Sequence, residues 1–257
     1  MANKQKRSWL RWVLILVGVI SGLLLIAFFG LKKNINTGSM KHTESRNFSL
    51  YYQTLSDDAI KDIFSAVQEI HDAYADDYGL PDTMQTTIVV YSDPAQFKRA
   101  YLGYILAWIY RDSDWMVGGA YNDMLVVMSP EVDDGMHSYA DKLEIFKHEL
   151  IHVYNFSLNP MPDMFLDEGL AELLSGQGET EQKPDGPIPS FKEMQSWNFS
   201  EFGENGGYYY SSRFCQYLEN KVGLSGVLEI LKSGDFAGVT GKSYEENYAD
   251  WMASETN

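Results

Sequence analysis

The chain has 257 residues, of which 45% are hydrophobic and 14% aromatic, with 21 Gly and 8 Pro. That composition excludes a disordered or low-complexity protein and supplies core enough for one ordinary domain or two small ones. Residues 32–257 carry 16 basic against 36 acidic side chains, so there is no electrostatic footprint for a phosphate backbone and nucleic acid is not an expected partner. The single cysteine, Cys215, excludes an intramolecular disulfide framework and any metal site built on several thiolates.

Residues 1–11 form a short basic tail with Lys4, Lys6, Arg7 and Arg11. Trp12 to Leu31 (WVLILVGVISGLLLIAFFGL) then runs for twenty residues without a charge. At about 1.5 Å per helical residue this spans the hydrocarbon of a bilayer. A buried core helix would show a polar stripe, and Ser21 is the only hydroxyl. The ending AFFGLKK offers no small-x-small cleavage site, so an uncleaved signal anchor is expected, with the basic tail cytoplasmic and the rest of the chain outside the cell membrane. Residues 32–45 are polar and lack an apolar period, which reads as a stalk.

Beyond the stalk, RNFSLYYQ at 46–53 alternates like a strand. Ser56 and two aspartates open a helix with Ile60, Phe64, Val67, Ile70 and Tyr74 at helical spacing, stopped by Gly79 and Pro81. His71 falls on its surface. TTIVVY at 86–91 is a second strand, and Asp93-Pro94 starts a short helix carrying Phe97 and Tyr101. The aromatic-rich stretch 102–117 has no clear period. GGAYNDMLVVM at 118–128 reads as a third strand or as a hairpin turning near Asn122-Asp123. From Ser138 the pattern is helical almost to the end, broken by a Pro- and Gly-rich loop at 181–190. Strands with a helix first and helices afterwards predict an α+β domain over 46–257, a small mixed sheet packed on helices with a mostly helical C-terminal half.

The chemistry concentrates in His148-Glu149-Leu150-Ile151-His152, an HExxH motif. Two histidines four apart project from one helical face and reach one ion, while Glu149, one residue round, stands beside the ion as a general base for water. Leu143, Phe146, Leu150 and Val153 form an apolar stripe, with Ile145, His148, His152 and Asn155 on a neighbouring one, so one face packs in a core and the other looks into a cleft. After Asn159-Pro160-Met161-Pro162, a second helix carries Glu168 and Glu172 on one face at i, i+4, and Gly169 and Ala171 permit close approach of another helix. Laid across the first helix, it brings Glu168 to the ion and leaves Glu172 to orient an imidazole from behind. Two imidazoles and one carboxylate with an open fourth position fit catalytic Zn2+ better than magnesium or calcium, which prefer oxygen shells.

HELIH, a proline break and FLDEGLAELLSG together resemble the gluzincin metallopeptidases of the peptidase-MA-like group, relatives of the thermolysin and membrane aminopeptidase catalytic cores. The resemblance covers most of residues 46–253, including GGYYYSSRFCQYLENKVGLSGVLEILKSG and TGKSYEENYADWMAS. It implies His148, His152 and Glu168 as zinc ligands, Glu149 as general base and Glu172 as the supporting carboxylate. It further implies a tyrosine near 208–210 as oxyanion donor, for which Tyr210 is the candidate. The strand at Gly118-Gly119-Ala120 is expected to accept a peptide substrate as an added strand, its glycines leaving room for the substrate backbone. No motif that grips a free amino terminus precedes the zinc helix, which favours an endopeptidase. The competing expectation is a cell-envelope binding or assembly protein that keeps the fold without hydrolysing; a soluble peptidase released by signal cleavage is a third.

Overall fold

The computed structural model describes residues 35–110, 116–121, 123–196 and 198–255. The basic tail and the apolar segment 12–31 lie outside them; among the described residues no helix is long and apolar enough to cross a membrane. The strands are β1 (Lys41–Glu44), β2 (Phe48–Tyr52), β3 (Thr86–Tyr91), β4 (Ala120–Tyr121) and β5 (Met124–Met128). They form one mixed sheet in the order β1-β2-β3-β5-β4, with β2, β3 and β5 parallel and an antiparallel strand at each edge.

The helices among the described residues are α1 (Asp57–Tyr74), α2 (Pro94–Ile109), α3 (Tyr139–Leu158), α4 (Met164–Ser175), α5 (Phe191–Met194), α6 (Phe199–Glu204), α7 (Gly207–Ser233), α8 (Phe236–Thr240) and α9 (Tyr244–Glu255). The fold is therefore α+β with a helical C-terminal half. Parallel neighbours need crossovers, and α1 and α2 supply them between β2 and β3 and between β3 and β5. The side-chain alternation of β3 then explains its unbroken apolar run. Ile88 and Val90 face the main core with α1 and α3, whereas Val89 and Tyr91 face Phe97 and Ala100 of α2.

Local signals act where the sequence places them. The Ser56 side chain accepts from Ala59 N at the start of α1, and Ser138 with Asp141 closes a reciprocal capping box on α3. The segment 118–128 is the hairpin of β4 and β5.

Three expectations change. The folded domain reaches back into the supposed stalk: Lys41–Glu44 pairs with β2, His42 stacks on Tyr51 at 4.4 Å, and Ile35 and Met40 pack on the α2 side of the sheet. A charged edge strand has no reason to alternate apolar residues, so KHTE lacked a strand pattern. The short helix at Asp93-Pro94 runs on to Ile109 through a break at Gly103 (φ 77°, ψ 169°), a backbone conformation open to glycine. His71 is not a plain surface residue; its Nδ1 lies 2.8 Å from the hydroxyl of the buried Tyr154.

The turn before α3 is pinned by charge. Lys142, 1% exposed, donates to Val132 O and lies 3.4 Å from Asp134 Oδ2. Burial alone would raise the Asp134 carboxyl, but the amides of His137 and Met136, the His137 ring and Lys142 outweigh it and hold it below the usual carboxylate range. A depressed folded pKa contributes stability that is complete above the unfolded value of about 3.9 and is lost as pH falls below it. Asp134→Asn is expected to destabilise by about 3 kcal/mol by leaving a buried ammonium without its counter-charge. In thermal unfolding, the gap between the two proteins should be constant near neutral pH and narrow below about pH 4.

Candidate metal centre

Helix α3 carries two faces. Phe146, Leu150, Val153 and Tyr154 are fully buried in the main core, while His148, Glu149 and His152 form part of the wall of a cleft of about 1050 Å³. Asn159 ends the helix, and Pro160 and Pro162 prevent its continuation. The Asp163 side chain then accepts from Phe165 N and Leu166 N and starts α4. Helix α4 lies close on α7: a Cβ on Gly169 would fall 2.5 Å from Ser211 O and 2.6 Å from Cys215 Sγ. Gly169 thus serves the approach of α4 to α7, and that support presents Glu168 and Glu172 towards α3.

The predicted ligands converge. His148 Nε2 and His152 Nε2 are 3.0 Å apart, and Glu168 Oε2 lies 3.4 Å from the first and 3.5 Å from the second. Ligands about 2.0–2.1 Å from a tetrahedral zinc stand about 3.3 Å from one another. The three atoms therefore have the separations of one face of a zinc tetrahedron, and the donor set fits the ion. Among the described residues this is the group of at least three His, Cys, Asp or Glu whose ligand atoms come together, within 4.8 Å.

Each ring has a carboxylate behind it. His148 Nδ1 is 3.3 Å from Glu172 Oε1, as expected. His152 Nδ1 is 2.9 Å from Asp167 Oδ1, a residue the sequence reading missed. Both contacts have ion-pair distances, although neither ring nitrogen makes a well-aligned hydrogen bond. Asp167 is itself held: Asn155 Nδ2 donates to its Oδ1 at 2.7 Å, and the Tyr78 hydroxyl donates to Asn155 Oδ1 at 2.6 Å. The available signal was Asn155, three positions after His152 on the same stripe, a buried amide in need of a partner.

Electrostatics follow from this density of carboxylates. Burial would lower the His148 pKa, but Glu168 and Glu172 outweigh it and raise it to about 9. His152 is raised well above its ordinary value because Asp167 and Glu168 outweigh burial. Glu168 is held below the usual carboxylate range, its burial outweighed by His152 and His148. The cluster thus favours positive charge between the rings, a demand that a divalent ion meets. Glu149 lies beside the triangle; burial raises its pKa, with the two histidines opposing.

Two expectations need correction. Tyr210 does not reach the cleft: it is 2% exposed and packs in the core against Tyr209 and Trp251. Tyr208 takes that place, lining the cleft with its ring edge-on to Phe202. Burial, then Glu168, Glu149 and Glu172, push its hydroxyl pKa up, so it keeps its proton and remains a donor. The glycines before β4 do not leave room for a substrate. A Cβ on Gly118 would fall 2.6 Å from Ile145 Cγ2 and 2.8 Å from Glu149 Oε1, and one on Gly119 would enter the Tyr101 ring. They make room for this chain's own side chains. Gly118, Gly119 and Ala120 do line the cleft, and the Tyr101 hydroxyl donates to Ala120 O at 3.2 Å. Because Gly119 O accepts from β5, the alternate groups of Gly118 and Ala120 face the outer edge.

Asp167→Asn is expected to weaken binding of added zinc by about 10–100-fold, the usual cost of losing an outer carboxylate, and to lower the melting temperature of the metal-free protein, because the charged His152 ring loses its nearest counter-charge. Competition titration against a chromophoric chelator reads the first quantity and calorimetry the second. Compared with known proteins, the chain matches no family model and no curated sequence, so the reading of this site rests on its own geometry.

Proposed function

We propose that this chain is a zinc-dependent peptidase of gluzincin type, held at a membrane by residues 12–31 with its catalytic domain on the extracytoplasmic side. The observation that carries the reading is the zinc-sized triangle of His148, His152 and Glu168 with Glu149 on the open side of the same helix. Zinc bound there would supply a Lewis acid for a scissile carbonyl and acidify a water.

The remaining work falls to the chain's own groups. Glu149, buried and with its pKa raised, is suited to take a proton from the attacking water and to hand it to the leaving amine. Tyr208, whose proton is retained, donates a hydrogen bond to the developing oxyanion. The outward backbone groups of Gly118 and Ala120 pair with an extended peptide once the Tyr101 hydroxyl releases Ala120 O. Glu172 and Asp167 keep the two rings oriented. Among the described residues the cleft lining holds seven carboxylates and no Lys or Arg, which slows the approach of acidic peptides.

Hydrolysis of casein by the purified chain tests the reading. Glu149→Gln should retain one zinc per chain and lose activity by at least about 10³-fold, because base and proton carrier are removed together. Undiminished hydrolysis by that variant, or none by the wild type on any unfolded protein, would contradict it; the second outcome favours a non-hydrolytic envelope protein. Tyr208→Phe should lower kcat by about 10²-fold with little change in KM. Tyr210→Phe should leave kcat unchanged.

A further inference from the structure

Every large apolar side chain that is strongly exposed among the described residues lies within two positions of a residue lining the cleft. The main group is Tyr104 (56% exposed), Trp108 (68%) and Ile109 (55%) on the half of α2 that follows the Gly103 break, with Tyr110 capping it; Met136 and Met161 (86%) directly precede the cleft-lining His137 and Pro162 in the chain. Leu102, Leu106 and Tyr110 of the same helix turn inward and line the cleft. This half-helix therefore has one apolar side on the cleft and another in solvent. Scattered single hydrophobics need no explanation, but Tyr104, Trp108 and Ile109 are grouped on the solvent side of one half-helix, and such a group marks a contact surface.

The connection to the amino terminus identifies what the surface meets. Ile35 and Met40 pack in the same apolar cluster as Phe97, Ala100 and Leu102, on the outer face of the sheet. Ile35 is four residues from Leu31, the end of the apolar segment, a separation of at most about 14 Å along the chain. The chain thus enters the domain on the face that α2 covers, and the exposed aromatics begin two residues after Leu102 of that cluster. Trp and Tyr beside Ile suit the headgroup level of a bilayer, where an apolar ring is buried and a polar tip stays wet.

We propose that the Tyr104–Ile109 half of α2 is a lipid-contact surface that rests in the interface of the anchoring membrane and holds the cleft beside the headgroups. The proposal rests on the membrane-anchor part of the reading above and is independent of hydrolysis.

The test uses the full chain in phosphatidylcholine vesicles. Cys215 is fully buried and escapes labelling. Trp108→Cys and, as a second site, Ile109→Cys each carry an environment-sensitive fluorophore. Ala73→Cys on α1, exposed and across the sheet from α2, is the control. Doxyl-labelled phosphatidylcholine with a shallow spin label should quench positions 108 and 109 at least about threefold more than position 73, with a blue-shifted emission at the first two. Equal quenching at all three sites in a chain that floats with the vesicles would overturn the lipid-contact surface and leave the anchor standing, pointing to a protein occupant instead. A chain that fails to float would overturn the anchor and the surface together.

Discussion

Two imidazole nitrogens 3.0 Å apart, faced by one carboxylate oxygen, create a demand for positive charge that the rest of the domain is arranged to sustain. Glu149, Asp167, Glu168 and Glu172 are all buried around two histidines. Carboxylates in that number cannot share a dry site unless cations balance them, because like charges at low dielectric repel strongly and burial disfavours each ionised form. A divalent ion between the rings would offset that repulsion. Removing any one support changes the ring orientation or the charge balance, and hence the chemistry.

The scaffold's part is to make this arrangement rigid. Helix α3 is fixed by its capping box, by the buried Lys142 beside Asp134, and by a core face that is fully excluded from water. Helix α4 is pressed on α7 at Gly169, where no larger side chain fits. The sheet presents its short edge strand to the other wall of the cleft, close enough that Glu149 fills the space a Cβ on Gly118 would need. Helix α3, helix α4 and the edge strand therefore meet with little freedom.

Much of this was legible in the sequence because it depends on local periodicity. Ser138, the HELIH spacing, the proline break and Glu168 with Glu172 four apart each fix a helix end or a helix face without tertiary information. What was not legible depends on packing. Strand β1 is a polar edge whose pairing answers the neighbouring β2 and no apolar pattern of its own. The continuation of α2 past Leu102 was hidden by Gly103, which interrupts the period, and by apolar residues on both of its sides. Tyr208 and Tyr210 stand about 200° apart on one helix, and only the position of α7 against α4 decides which faces the cleft. Asp167 reaches the far nitrogen of His152, a contact set by the rotation of a ring.

Zinc-edge X-ray absorption of the purified full chain tests the central claim most directly. One zinc per chain, with two imidazoles in the multiple-scattering pattern and N/O ligands at about 2.0–2.1 Å, is the predicted result, and His152→Ala should remove one of those imidazoles from the spectrum. A chain that holds no zinc at neutral pH, or one whose zinc shows no imidazole scattering, would contradict the account.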